Sequence, residues 1–209
     1  MPIIDLSFNI IGTTIPLDHG YSLFSALCRV VPQLHGDTRI GVHPIRGRQT
    51  APGVLSLIDS SRIRLRLPSE EIAPYIAVAG TELELVSHRL QVGIPRVECL
   101  TAAASLGSRL VTFRGITDPT LFETNIRRQL EKRKIAGKPS LVVAARATWT
   151  GQPMRRVLRV KDKQVIGYSL RIHGLKSEES ISIQEEGLGG RRRMGCGVFL
   201  PISHTENSI

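Results

Sequence analysis

The order of strand-like and helix-like segments constrains the fold of this chain more than any other feature of its sequence. Apolar and polar residues alternate over 3–11, as is typical of a strand, and apolar residues then recur at helical spacing over 21–31. A second alternating segment at 62–68, a short helix at 69–78 and a strand at 82–90 follow. We interpret the order of this half as β-α-β-β-α-β.

The second half of the chain shows the same order. Asp118 is expected to cap a helix that extends to about residue 134. Its predicted inward-facing residues are Leu121, Phe122, Ile126 and Leu130. The other predicted elements are strands at 110–113, 141–147 and 198–202, a hairpin that turns near 161–163, and a helix from Ser177 that Gly187 ends.

Two such units in tandem predict an α+β chain made of two ferredoxin-like, or RRM-like, domains. We expect residues 1–95 to form the first domain and 96–209 the second, with the join near 92–104. The strand-like segment at 62–68 is expected to have one apolar face and one face of three guanidinium groups, those of Arg62, Arg64 and Arg66.

Positive charge is concentrated in one part of the chain. The formal net charge is +10, and residues 126–163 contain twelve lysines and arginines against only Glu131 and Asp162. Such a cluster suits a phosphate-rich partner, although a solvated helix face followed by a solvated hairpin is the plain alternative. The candidate nucleic-acid contacts in this stretch are Arg127, Arg128, Lys134, Arg155, Arg156, Arg159, Lys161 and Lys163.

The sequence does not predict a cofactor, a metal site or a membrane span. Cys28, Cys99 and Cys196 form no CxxC pair, the histidines lack the spacing of a ligand set, and acidic residues do not cluster as a magnesium pair requires. The first residues lack the basic region of a signal peptide, and no apolar run approaches the ~20 residues of a membrane helix. We expect a cytoplasmic protein that does not contact a membrane.

The densest local pattern lies near the C-terminus and reads GLGGRRRMGCGVFLP, from Gly187 to Pro201. It is neither a Walker A loop nor a dinucleotide fingerprint, because Gly-Lys-Ser/Thr is absent and Arg192 replaces the last glycine of GxGxxG. Gly187, Gly189 and Gly190 are expected to let the backbone approach an anion. Arg191, Arg192 and Arg193 add bidentate donors suited to phosphate; a soluble turn is the alternative.

This glycine-arginine pattern resembles the C-terminal glycine-rich loop of the CRISPR-associated endoribonucleases of the RAMP superfamily, which cut repeat RNA. The N-terminal segment DHGYSLFSALCRVVPQLHGDTRIGVHPIRG is similar to the first helix of that family and the loop after it. The resemblance covers essentially the whole chain, is closest to the short MYXAN-type variant, and implies two ferredoxin-like domains. It also implies cleavage without metal: the 2′-hydroxyl attacks the adjacent phosphate and leaves a 2′,3′-cyclic phosphate and a 5′-hydroxyl.

The same resemblance implies a set of site residues. Leu34-His35-Gly36 matches a family element that follows the first helix, and His43 is an alternative for the same acid-base role. His19 and Tyr21 lie where the family places catalytic or orienting groups, while Cys28 stands where many members have a tyrosine. Arg46 and Arg48 are candidates for neutralising the phosphate.

Two functions from different classes remain open at the level of sequence. One is the metal-independent endoribonuclease that matures CRISPR RNA from a repeat stem-loop. The other is a non-catalytic RNA-binding subunit of a CRISPR effector complex, in which case other subunits of that complex are partners. The histidine group favours the first. An ordinary RRM-type binder is disfavoured because the chain is only 4% aromatic.

Overall fold

A computed structural model describes residues 1–143 and 151–202 of the chain. The chain forms two compact units. The first contains Met1–Cys99, Leu158–Lys163 and Arg192–Gly195, and the second contains Leu100–Val157, Gln164–Arg191 and the segment from Cys196 onward. The predicted strand at 141–147 extends beyond the described residues after position 143.

The first unit is built on a five-stranded antiparallel sheet. The strand order is β3-β6-β1-β8-β7, and β2, β5 and β4 form a separate three-stranded sheet. The elements are β1 (Ile3–Ile11), β2 (Thr14–Pro16), α1 (Gly20–Val30), β3 (Gly41–Val42), β4 (Arg48–Ala51), β5 (Val54–Ser56), β6 (Arg62–Pro68), α2 (Ile72–Ile76), β7 (Glu82–Leu85) and β8 (His88–Cys99). Single 3₁₀ turns lie at Pro32–His35 and Ser69–Glu71.

The order β3-β6-β1-β8 places the second, third, first and fourth strands of a β-α-β-β-α-β unit side by side, which is the ferredoxin-like arrangement. In β1 the register pairs Leu6 with Leu65 of β6 on one side and Val97 of β8 on the other. The apolar residues of β1 and the buried face of α1, which includes Leu23 and Leu27, belong to one core. The strand predicted at 3–11 and the helix predicted at 21–31 are therefore confirmed.

The second unit repeats this arrangement with an additional hairpin strand. Its strand order is β10-β12-β9-β13, and β11 pairs with β12. The elements are β9 (Ser105–Val111), α3 (Pro119–Lys132), β10 (Lys138–Leu141), β11 (Arg155–Val160), β12 (Lys163–His173), α4 (Ser177–Glu186) and β13 (Leu200–Pro201). Phe122, Ile126, Leu170, Ile172 and Phe199 are buried in its core.

The ends of the two long helices in this unit follow from their sequence. The carboxylate of Asp118 accepts a hydrogen bond from the Leu121 N–H at 2.9 Å, which confirms the predicted cap of α3. Gly187 ends α4 with a φ of +67°, a conformation that glycine adopts without strain. Leu121, predicted to face inward, is instead 62% exposed, because it lies in the first turn on the side away from the sheet.

The segment at 82–90 differs from the sequence prediction. It forms a hairpin of β7 and β8, and Val86 at its turn has a φ of +61°. No asparagine or glycine marks this turn, so a single continuous strand was the simpler interpretation. No helix in the described part of the chain is long and apolar enough to cross a bilayer.

Candidate functional site

The three N-terminal histidines belong to the first unit and have different surroundings. His19 is fully buried just before α1. Its Nδ1 lies 2.9 Å from the Pro16 carbonyl oxygen, and its Nε2 accepts the Ile45 N–H at 2.9 Å. A neutral ring that donates from Nδ1 and accepts at Nε2 satisfies both bonds. Both nitrogens of His19 are thus engaged in holding two backbone segments together.

His43 is also buried, beside the carboxylate of Asp5. Its Nε2 donates to Asp5 Oδ1 at 3.1 Å, and its Nδ1 has no hydrogen-bond partner among the described residues. Burial lowers the pKa of His43 to about 4, although the Asp5 charge opposes this shift. The imidazole is therefore neutral near pH 7 and shielded from solvent.

Arg66 completes this buried cluster. Its Nε and Nη2 donate to the two carboxylate oxygens of Asp5 at 2.8 and 2.9 Å, and its side chain is fully buried. Burial opposes ionisation of Asp5, but the hydrogen bonds and charges of His43 and Arg66 together hold its pKa well below the usual range. Arg62, Arg64 and Arg66 share the predicted polar face of β6, but Arg66 is buried there and only the other two are partly exposed.

His35 has the opposite character, since its side chain is exposed at the end of the 3₁₀ turn after α1. Its ring centroid lies 6.0 Å from that of Phe24, a buried residue of α1. Of the three histidines, it is the one whose imidazole faces solvent.

Arg193 joins the glycine-rich segment to this turn within the first unit. Its Nη1 donates to the carbonyl oxygens of Leu34, at 3.1 Å, and of His35. Its guanidinium carbon lies 5.7 Å from the centre of the Phe24 ring, within cation–π range. The structure thus brings together two predicted site residues, His35 and Arg193, that are 158 positions apart.

Tyr21 and Cys28 lie on α1, and both are half-buried against the core of the first unit. Burial raises the pKa of the Cys28 thiol, and the charge of Arg193 partly offsets this effect. The cysteine is therefore a protonated thiol near pH 7.

The glycine-rich loop is fixed by its own backbone. The Gly190 N–H donates to the Thr112 carbonyl at 3.0 Å, and the Gly197 N–H donates to the Leu110 carbonyl at 2.7 Å, so the loop is attached to β9 and the residue after it. Gly189 has a φ of +79°, and a Cβ there would meet the Thr112 carbonyl. A Cβ on Gly190 would meet nothing. Several of the N–H groups expected to cradle an anion thus bond protein carbonyls instead; they are those of Gly187, Leu188, Gly190, Gly195, Cys196 and Gly197.

The predicted basic residues of the second unit differ in exposure. Exposed side chains lie on or just after α3 and at the start of β11; these are Arg127, Arg128, Lys134 and Arg155. Arg156 is partly buried, and its guanidinium bonds Ser169 Oγ at 3.3 Å and the Met154 sulfur at 2.9 Å. Burial lowers the pKa of Arg156. Arg156 thus has a packing role that its sequence neighbours lack. Arg191 is exposed, with a φ of +62°.

Other predicted basic residues belong to the first unit. Arg159, Lys161 and Lys163 are exposed at the tip of the β11–β12 hairpin. The Arg159 N–H donates to Asp18 Oδ2 at 2.7 Å, two residues before α1 begins. Arg46 and Arg48 are exposed, and Arg192 is partly exposed. Within residues 1–143 and 151–202, no three histidine, cysteine, aspartate or glutamate side chains group as metal ligands.

Comparison with known proteins identifies the family. The family model described as "Cas6 Crispr" matches residues 4–204. The chain belongs to the Cas6 family. A protein of Myxococcus xanthus strain DK1622 named "CRISPR-associated endonuclease Cas6" is 39% identical over 201 residues, which are 96% of this chain and 82% of that protein.

Solved structures resemble this member of the Cas6 family in fold at low sequence identity. A structure titled "An RAMP protein binding different RNA substrates" has a TM-score of 0.68 and 15% identity, and one titled "CRISPR associated protein Cas6" has a TM-score of 0.66 and 14% identity. Each comparison covers 96% of this chain and 100% of the other. They support the tandem ferredoxin-like fold of the Cas6 family in this chain.

Sequence reasoning missed two parts of the site. The Asp5–Arg66 pair was hidden because β-strand alternation assigns both residues to a polar face, without saying whether another element covers it. Phe24 was expected only as an apolar residue of α1, although its ring also contacts His35 and Arg193. The pattern of apolar and polar residues in one sequence does not indicate either the Asp5–Arg66 pair or the contacts of Phe24.

Proposed function

We propose that this chain is an endoribonuclease that cuts CRISPR repeat RNA without a metal ion. The Myxococcus xanthus relative is named an endonuclease at 39% identity, which supports the activity. In the proposed reaction the ribose 2′-hydroxyl attacks the neighbouring phosphate and expels the 5′-oxygen. The products are a 2′,3′-cyclic phosphate and a 5′-hydroxyl, and the chemistry requires RNA because DNA lacks the nucleophile.

His35 carries the proposal, because its imidazole is exposed whereas those of His19 and His43 are buried. This reaction needs a group that takes the proton of the 2′-hydroxyl and one that gives a proton to the leaving oxygen. A solvent-facing imidazole can do either. We therefore assign one of these two proton transfers to His35, with solvent water completing the other, and give His19 and His43 no direct part; Tyr21, half-buried on α1, remains the candidate for orienting the ribose.

Phosphate contacts are assigned to exposed or partly exposed cations of each unit. In the first unit these are Arg46, Arg48, Arg159, Lys161, Lys163 and Arg192, and in the second Arg127, Arg128, Lys134, Arg155 and Arg191, with Gly187, Gly189 and Gly190 shaping the loop. Arginine and lysine side chains at such positions neutralise phosphates and release counterions. The charge excess of the chain supports an RNA partner.

Cleavage of a transcript of the repeat from the CRISPR array of the source genome tests the proposal. We expect one cut in the presence of EDTA, a product end that acid treatment opens as a cyclic phosphate, and no cut when the nucleotide 5′ of the scissile bond is 2′-deoxy. Cleavage that needs Mg²⁺ or tolerates the deoxy substrate would contradict the mechanism. Tight binding without any cut would instead support the non-catalytic RNA-binding subunit.

The role of His35 is tested by substitution. His35→Ala is expected to lower the cleavage rate by about 10²–10⁴-fold, the usual cost of losing a general acid or base. His173→Ala is the matched control, since His173 is also exposed and lies at the end of β12 in the second unit. Equal rates for the two variants would remove His35 from the mechanism.

A further inference from the structure

The 3₁₀ turn that carries His35 ends with two carbonyl groups that its own backbone does not satisfy. The N–H groups of Gly36 and Asp37 both donate to the Gln33 carbonyl, at 3.1 and 3.2 Å. The carbonyls of Leu34 and His35 consequently need donors from elsewhere, as the last carbonyls of any helical turn do. A basic side chain is a suitable donor at this end of a turn.

Arg193 supplies that donor through a single nitrogen. Its Nη1 bonds both carbonyls, and its guanidinium covers the Phe24 ring, which also contacts the His35 ring. Among the described residues Arg193 forms no ion pair with a carboxylate. The side chain is therefore held by the turn and by Phe24, and its contacts are those of a cap.

The backbone that carries Arg193 is itself fixed against α1. The carbonyl of Met194 packs where a Cβ on Gly20 would lie, and the Met194 side chain packs on the core of the first unit. The Gly195 N–H donates to the Arg192 carbonyl at 3.2 Å and closes the turn. Arg193 thus extends from a rigid support, which a capping side chain requires.

Arg191, two positions earlier in the chain, differs from Arg193 in its side-chain contacts. Arg191 is exposed, and none of the described residues bonds its side chain. Three consecutive arginines suggest one shared role in phosphate binding. In the structure, however, the Arg193 side chain contacts the turn and Phe24, whereas the Arg191 side chain faces solvent.

We propose that Arg193 is a positioning residue for His35: it caps the turn and fixes the imidazole for proton transfer, and it does not contact RNA phosphate. This inference rests on the proposed function, because it assigns Arg193 a part in the same reaction. A group that fixes a catalytic side chain affects the chemical step, since a displacement of ~1 Å can cost 10²-fold in rate. A phosphate contact affects affinity and its salt dependence.

Arg193→Ala and Arg191→Ala remove the same charge two positions apart and are the test pair. For Arg193→Ala we expect faster hydrogen exchange at residues 34–37, a single-turnover rate at saturating repeat RNA lowered by about 10- to 100-fold, and an unchanged salt slope of binding. For Arg191→Ala we expect unchanged exchange at 34–37 and a log-log salt slope smaller by roughly 0.7–0.9. Unchanged exchange in Arg193→Ala, or a salt slope reduced as in Arg191→Ala, would overturn the proposal.

A double-mutant cycle separates positioning from independent catalysis. In a His35→Ala background, Arg193→Ala is expected to change the residual rate by less than about twofold, because a residue that acts through His35 has nothing left to position. If the two losses multiply, Arg193 acts on the substrate directly and the proposal is wrong. If Arg193→Ala does not fold, Arg193→Lys is measured instead; it keeps the charge but not the planar group, and it should still show faster exchange at 34–37.

Failure of the proposed function gives a different result. A wild-type protein that binds repeat RNA without cutting it overturns the endoribonuclease assignment, and the positioning role fails with it. If the wild type cuts, hydrogen exchange at 34–37 and the salt slope decide the role of Arg193 alone.

Discussion

Nε2 of His43 lies 3.1 Å from Oδ1 of Asp5, and both side chains are buried in the first unit. The bidentate contact of Arg66 keeps Asp5 ionised. The carboxylate therefore accepts hydrogen bonds from both Arg66 and His43. This buried polar cluster links β1, β6 and the residue after β3. Its first consequence is a dependence of stability on pH.

We expect the first unit to lose stability as the pH falls from about 6.5 to about 4. The folded-state pKa of His43 is depressed to about 4, so the unfolded chain binds this proton at a higher pH than the folded chain does. The free energy of unfolding then falls by about 1.4 kcal/mol per pH unit in that window. Protonation of Asp5, whose pKa is also lowered, adds a further loss only below pH 4.

Urea unfolding followed by circular dichroism between pH 7 and pH 4 measures this slope. His43→Gln should flatten it, because the titrating group is gone, while the control His173→Gln in the second unit should leave it unchanged. A wild-type unfolding free energy that does not vary between pH 6.5 and pH 4.5 would contradict the assignment of a buried neutral imidazole.

Removing one partner of the Asp5–Arg66 pair is expected to lower the free energy of unfolding more than removing both partners does. Asp5→Leu or Arg66→Met alone leaves a buried group without its partner and should cost about 3–5 kcal/mol, as should Asp5→Asn. The double variant Asp5→Leu/Arg66→Met should recover much of that loss, giving a strongly non-additive cycle. Equilibrium unfolding of all four proteins measures the coupling.

A partly exposed ion pair that also involves an arginine of β6 is the matched control. Arg64 Nη2 lies 3.1 Å from Glu98 Oε2, and the Glu98 side chain is 43% exposed. Glu98→Gln should cost no more than about 1 kcal/mol, because solvent screens an exposed ion pair. If Asp5→Asn cost as little as Glu98→Gln, the burial argument would fail.

Whether a feature of the fold or of the site could be predicted from the sequence depends on how far apart in the chain the interacting residues lie. Local patterns identified β1, the Asp118 cap of α3 and the Gly187 stop of α4, because alternation, helical spacing and capping act over a few residues. The pattern at 62–68 did not predict the burial of Arg66, since tertiary cover decides which polar face is solvated. The histidines were found as a group, but separating exposed His35 from buried His19 and His43 required the fold.

The glycines of the C-terminal loop are expected to differ in their tolerance of a side chain. Gly189→Ala introduces a Cβ at a φ of +79° beside the Thr112 carbonyl and should cost about 1 kcal/mol or more. Gly190→Ala should cost less than about 0.5 kcal/mol, because a Cβ there meets nothing. Thermal unfolding of the two variants makes the comparison, and equal destabilisation would show that the loop is not fixed to residue 112.

The basic hairpin offers a test of phosphate binding against packing. Lys161→Ala and Lys163→Ala should each reduce the log-log salt slope of repeat-RNA binding by roughly 0.7–0.9 for every phosphate that the variant no longer neutralises. Arg156→Ala should leave that slope unchanged but lower stability, since its guanidinium bonds Ser169 and Met154. Fluorescence anisotropy at several salt concentrations gives the slopes; a reduced slope for Arg156→Ala would assign it to the RNA-binding surface.

Gly20 is expected to control the position of the turn that carries Arg193. A Cβ at Gly20 would meet the Met194 carbonyl and the Leu158 side chain, so Gly20→Ala should displace residues 192–194 from α1. The capping bonds to Leu34 and His35 then weaken, and we expect a single-turnover cleavage rate lowered about tenfold or more. Hydrogen exchange should increase at residues 34–37 and 192–195 together. Gly36→Ala adds the same methyl group into open space and should leave exchange at 192–195 unchanged. Faster exchange at 192–195 with none at 34–37 in Gly20→Ala would show that the two segments are not coupled through Arg193.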